Sequence, residues 1–211
     1  MFFPAFERIK SIAVRHGNKT FTPEQFTRLI RMQFRDRQLR FNCLRDSEVV
    51  GRDFLIKGEY RPHEDSQDEP CVFITLVFSP RCRKIGTKHY NWDEMSFHLA
   101  DIVTHEYLHQ YYCRRRGYRH GPGYRSRTNH RYNETMRDYL GCEDEILAHA
   151  FNVASEMIVY NQTITKTRIY RVYQKYFRQD RKVMLQLQKQ VTKYINRWER
   201  SNDQVSRRTS N

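Results

Sequence analysis

The chain is 211 residues and 25.8 kDa, enough for one domain with a sizeable core, with or without appendages. With 38% hydrophobic and 29% charged residues, no apolar run approaches the 18 needed for a membrane span. A net charge of +14 and a pI near 9.7 favour an anionic partner, nucleic acid or an acidic protein face, without establishing one. The five cysteines (Cys43, Cys71, Cys82, Cys113, Cys142) are odd in number and never form C-x-x-C, which excludes a disulfide framework and a zinc ribbon and suits a reducing compartment. Residues 1–8 lack a basic-then-apolar signal pattern, so a cytoplasmic protein is expected.

Residues 5–15 read as a short helix that stops near His16-Gly17-Asn18. Thr22-Pro23-Glu24-Gln25 is a helix start, with Thr at the N-cap, Pro at N1 and Gln at N3, and Phe26, Leu29, Ile30 and Phe34 form its apolar face. A strand is expected over 54–60, a polar loop over 61–70, and a buried strand over 71–78, which is nearly continuous Val, Phe, Ile, Thr and Leu. Residues 84–90 read as a weaker strand at a sheet edge. Asn91 and Glu94 make an N-cap and N3 pair for a helix over about 92–112. A long connection over 113–142 holds eight arginines against Glu134 and Asp138. A helix over 143–160 follows, with Ile146, Ala150, Val153 and Met157 on one face, and then basic helices ending in a stripe of Met184, Leu187, Val191, Tyr194 and Trp198. Residues 201–211 read as a disordered tail.

The segment His105-Glu106-Tyr107-Leu108-His109 carries the chemistry. Histidines at i and i+4 on a helix are about 40° apart around the axis and roughly 6 Å apart along it, so both imidazoles can reach one metal ion. Glu106 lies between them, where it can take a proton from metal-bound water without ligating. The apolar stripe Met95, Leu99 and Ile102 runs into His105, Glu106 and His109, so these side chains continue the buried face of the helix. Two N-terminal helices, a small sheet and then this helix is the order of a zinc peptidase domain.

A catalytic zinc takes three protein ligands and keeps one position for water. The third ligand lies downstream. Tyr112 and Arg115 stand where a metzincin would have its glycine and third histidine, which excludes that class. One candidate is Glu145, in the first turn of the helix over 143–160, with Ala148 one turn on leaving room for close packing; Glu143 is a lesser alternative, and acids there also complement the helix dipole. The Glu145, Ala148, Phe151 spacing resembles the third-ligand helix of small gluzincin peptidases that cleave phage repressors, and residues 139–156 resemble metallopeptidases encoded by bacteriophages. That resemblance spans at most 94–158 and implies a zincin-like α+β fold, one Zn2+ per chain held by His105, His109 and Glu145, and a protein or peptide substrate. The other candidate is His120, because Arg119-His120-Gly121-Pro122-Gly123-Tyr124 resembles the H-G-P-x-aromatic segment of SprT/Spartan-like proteases, which act on proteins crosslinked to DNA. His130 remains a further possibility.

The expected organisation is therefore an α+β fold. A zincin-like metallopeptidase domain occupies 1–160, with a small, mostly antiparallel sheet packed on the motif helix, and a basic helical extension occupies 161–200. Glu106 is the expected general base, and Tyr124, Tyr132 and His149 are candidate oxyanion donors. An extended substrate is expected to add a strand at the sheet edge over 84–90. Two alternatives stay open: a DNA-associated protease using His120, and a basic nucleic-acid-binding or virion-associated protein with a structural or vestigial zinc site. Residues 164–211 support the last, with 13 Lys and Arg against 3 acids interleaved with Tyr170, Tyr173, Tyr176 and Phe177.

Overall fold

The computed structural model describes residues 2–49, 54–89, 91–119, 121 and 132–209. It is an α+β protein in two compact units, Met1–Arg114 and Arg115–Asn211. The division falls before residue 160, because the helix over 143–160 shares its apolar face with the C-terminal helices.

In the first unit, α1 (Phe2–His16), β1 (Thr20–Phe21) and α2 (Pro23–Arg31) precede β2 (Leu39–Arg45), β3 (Phe54–Tyr60), α3 (Pro62–Ser66), β4 (Val72–Phe78), β5 (Ile85–Gly86) and α4 (Trp92–Arg115). The start of α2 is a complete capping box: the Gln25 backbone N–H donates to Thr22 Oγ1 and the Thr22 N–H donates to Gln25 Oε1. The main sheet has the order β2-β4-β3. β2 runs parallel to β4 in the register Leu39↔Val72 to Arg45↔Phe78, and β3 runs antiparallel to it from Phe54↔Phe78 to Tyr60↔Val72. The sheet is therefore mixed rather than mostly antiparallel. Central β4 buries Val72, Ile74, Leu76, Val77 and Phe78, which explains its nearly unbroken apolar sequence.

Two expectations give way here. Of the described residues in 84–90, none joins the main sheet; Ile85 and Gly86 are strand, paired with β1, and a 3-10 turn follows over Thr87–His89. Within 61–70, Pro62 opens the short helix α3, whose Glu64 and Asp65 occupy the first turn. Aromatic contacts join the layers: Phe2 meets Phe97 at 5.5 Å, and Phe26 meets Phe54 at 5.6 Å and Trp92 at 6.3 Å between ring centroids.

In the second unit, α5 (Tyr132–Leu140), α6 (Glu143–Tyr160), α7 (Arg168–Phe177) and α8 (Arg181–Thr209) form a helical core. Ile146, Ala150, Val153 and Ala154 of α6 pack with Tyr170, Tyr173 and Phe177 of α7 and Leu187 and Val191 of α8. α8 is helical through Thr209, so it covers most of the segment expected as a disordered tail. No helix among the described residues is long and apolar enough to cross a membrane, and all five cysteines are free thiols.

Candidate metal centre

The 24 residues of α4 make a rod about 36 Å long at 1.5 Å per residue. Its N-terminus is held where the Glu94 N–H donates to Asn91 Oδ1 and the Trp92 indole N–H donates to Thr87 O at 2.8 Å. Its last turn is held by Asp65, whose side chain is fully buried. That carboxylate accepts from Arg114 Nε (2.9 Å), Gln110 Nε2 (2.9 Å), Tyr60 Oη (2.9 Å) and Cys71 Sγ (3.3 Å). Burial alone would raise the Asp65 carboxyl, but these donors outweigh it and hold it at about 2. Burial and the neighbouring Asp65 charge push the Cys71 thiol up to about 12, so it acts as a donor and not as a thiolate.

Between these anchors lies the motif. His105 and Glu106 are buried, at 9% and 8% exposure, and His109 is half-buried. The two Nε2 atoms are 2.9 Å apart. Two imidazoles on one tetrahedral zinc, with Zn–N near 2.05 Å, hold their nitrogens roughly 3.3 Å apart, so a slight opening of the rings would admit the ion. Tyr107, between the histidines, donates to Asp36 Oδ2 at 2.5 Å; burial and that bond raise its phenol pKa and keep it neutral.

β3 approaches the motif closely. A Cβ at Gly58 would lie 2.5 Å from Glu106 Oε1, 2.7 Å from Ile102 Cγ2 and 2.9 Å from Glu106 Cγ. Only glycine lets this strand lie against the Glu106 carboxylate. Among the described residues β3 pairs only with β4, so it forms an edge of the sheet beside Glu106.

In the second unit, α6 opens at Cys142 with Glu143, Asp144 and Glu145 in its first turn. Asp144 is occupied by Arg116, whose Nη1 and Nη2 donate to its two oxygens at 2.8 and 2.5 Å. A Cβ at Gly121 would lie 2.7 Å from Asp144 Oδ2, so the backbone at Gly121 passes directly beside this carboxylate. Glu145 is 5% exposed. One turn on, His149 Nδ1 lies 3.8 Å from Glu145 Oε2 and 3.2 Å from Tyr173 Oη. Tyr173 Oη already donates to Leu140 O at 2.9 Å, so at His149 it accepts, which puts the ring proton on Nδ1 and the lone pair on Nε2. Burial above all, then the Glu145 charge, raises the Tyr173 pKa and keeps it a donor.

Each unit carries a pair of metal-ligand types: His105 with His109 on α4, and Glu145 with His149 on α6. The donor set suits zinc and also iron, manganese or cobalt. His105, His109 and Glu145 are expected ligands. His149 is expected only as an oxyanion donor, although its i, i+4 spacing from Glu145 is the sequence signal that marks it. Glu143 stands in the same first turn of α6 as Glu145. His120, His130 and Tyr124 lie outside the described residues, and Tyr132 belongs to α5. No protein-family model matches the chain, and neither the curated proteins nor the solved structures give a significant match.

Proposed function

We propose that the protein is a zinc-dependent peptidase of the H-E-x-x-H type, with His105 and Glu145 as metal ligands, Glu106 as general base, and His109 and His149 completing the centre. The observation that carries this reading is the H-E-x-x-H triplet on α4, with His105 and Glu106 buried and the His105 and His109 Nε2 atoms 2.9 Å apart. The resemblance of residues 139–156 to phage-encoded gluzincins supports the same assignment.

A bound zinc would bring the pKa of its water to about 7 and polarise the scissile carbonyl. The chain's own residues would do the rest. Glu106 would take the proton from the attacking water and hand it to the departing amine, so the same carboxylate serves as base and then as acid. Gly58 keeps its carboxylate in place, since every larger residue would displace Oε1. With three of the four candidates as ligands, the remaining histidine would stand beside the tetrahedral intermediate as a donor to its oxyanion. An extended peptide would add to the free side of β3, beside Glu106, rather than to residues 84–90, where β5 is two residues long and already paired.

The test is metal content by elemental mass spectrometry on wild type, His105→Ala, His109→Ala, Glu145→Ala and His149→Ala, with hydrolysis of fluorescein-labelled casein measured in parallel. One zinc per chain is expected, lost with His105→Ala and Glu145→Ala. Glu106→Gln should keep the metal and the fold but lose at least about a hundredfold in hydrolysis. A folded wild type that takes up no zinc, or a Glu106→Gln variant that cleaves like wild type, would overturn the reading.

A further inference from the structure

We infer that the outward face of α8 docks on duplex nucleic acid, gripping the phosphate backbone without reading sequence through Lys182, Lys189, Lys193, Arg197 and Arg200. All five side chains are exposed. Their spacings of 7, 4, 4 and 3 residues confine them to an arc of about 80° at 100° per residue. They form a row roughly 27 Å long, beside which B-DNA presents about eight phosphates on each strand.

Packing fixes the direction of this row. Leu187 (0% exposed) and Val191 (2%) lie on the opposite side of α8, in the core with α6 and α7. The helix therefore cannot turn its cations elsewhere. No acid interrupts the row: Glu199 lies about 120° around the helix from the middle of the arc. Asp180, just before α8, accepts from the Val183 N–H and lies 3.7 Å from Arg137 Nη2. Among the described residues none of the five forms an ion pair, whereas Arg114, Arg116 and Arg137 do. The pattern recurs on α7, where exposed Arg168, Arg171, Lys175 and Arg178 are spaced 3, 4 and 3 residues apart, away from buried Tyr170, Tyr173 and Phe177. Over residues 166–200 there are 11 Lys and Arg against 2 acids.

The same packing selects the class of partner. A helix that lies in a membrane surface needs an unburied apolar face, and that face of α8 is already in the core. Single-strand binding through base stacking needs exposed rings, but Tyr170, Tyr173 and Phe177 are buried and Tyr176 is half-buried. What remains is a straight, regular row of cations, which suits a backbone of evenly spaced phosphates.

The experiment is fluorescence anisotropy of a labelled 30-base-pair duplex of arbitrary sequence with the full chain, titrated from 50 to 200 mM KCl. Five phosphate contacts give a log–log salt slope near −4.5, a loss of affinity of about 500-fold over that range. Replacing all five cations by Gln should flatten the slope to near −1 or less and weaken binding at 50 mM by more than about 100-fold. Its helical circular dichroism and thermal midpoint should match wild type, since only solvent-facing side chains change. A Glu106→Gln variant should bind like wild type, which separates this surface from the metal centre. A wild-type slope shallower than −1, unchanged binding by the Gln variant, or equal loss of binding to anionic phosphatidylserine vesicles would overturn the inference.

Discussion

Gly58→Ala tests whether the strand beside Glu106 is held there by the lack of a side chain. The new methyl carbon would stand 2.5 Å from Glu106 Oε1, 2.7 Å from Ile102 Cγ2 and 2.9 Å from Glu106 Cγ. Ordinary contacts between such atoms begin near 3.5 Å, so relief requires a movement of about 1 Å. Overpacking of this kind costs about 1–3 kcal/mol, because either the backbone of β3 or the side chain of Glu106 must move. A displacement of that size at a catalytic group costs about 100-fold in rate. The expected variant binds zinc like wild type, shows a lower urea midpoint at unchanged slope, and hydrolyses labelled casein about two orders of magnitude more slowly. The urea arm stands without any knowledge of the substrate. A variant as stable and as active as wild type would show that β3 does not constrain Glu106, and the reasoning would fail.

Two other expectations concern residues that no motif reveals. Asp65 is held at about 2 against an ordinary 3.8, so its bonds contribute stability at pH values above the ordinary value. That contribution, about 2 kcal/mol, disappears as pH falls from 3.8 through 2. An Asp65→Asn variant should therefore lose stability at pH 7 but show a shallower fall in thermal midpoint between pH 4 and 2; a parallel fall in both proteins would remove Asp65 from the account. Tyr173→Phe deletes the oxygen that orients His149 and should lower zinc affinity about 10- to 100-fold by competition with a chelating dye, with little change in helical signal. Undiminished affinity would make Tyr173 a core residue only.

The elements most legible in the sequence are those with a local cause. Asn91, Thr22 and the acids after Cys142 announce three helix starts, and the apolar run of β4 announces a buried strand. β2 is hard to read because its alternation of Leu39, Phe41 and Cys43 with Arg40 and Asn42 covers few apolar positions and ends on the exposed Leu44, and because its parallel partner β4 lies far along the chain, with Leu39 opposite Val72. α3 carries a proline start, but at five residues it is too short to show a period. In the site, the H-E-x-x-H pattern is legible because both histidines share one helix. The orientation of His149 depends on Tyr173 and Leu140, and that of Glu106 on Gly58; these relations exist only once distant segments pack.

The two anchors of α4 have a consequence for how the protein breathes. Helices fray from their ends, but here one end is tied through the Trp92 indole and the other through the Arg114–Asp65 bonds. His105 lies 13 residues from the first residue of the helix and 10 from its last, far inside both ties. Its backbone amide can exchange with solvent only when the helix and the sheet open together, as one cooperative unit. The histidine pair is thus assigned to the slowest-exchanging part of its unit.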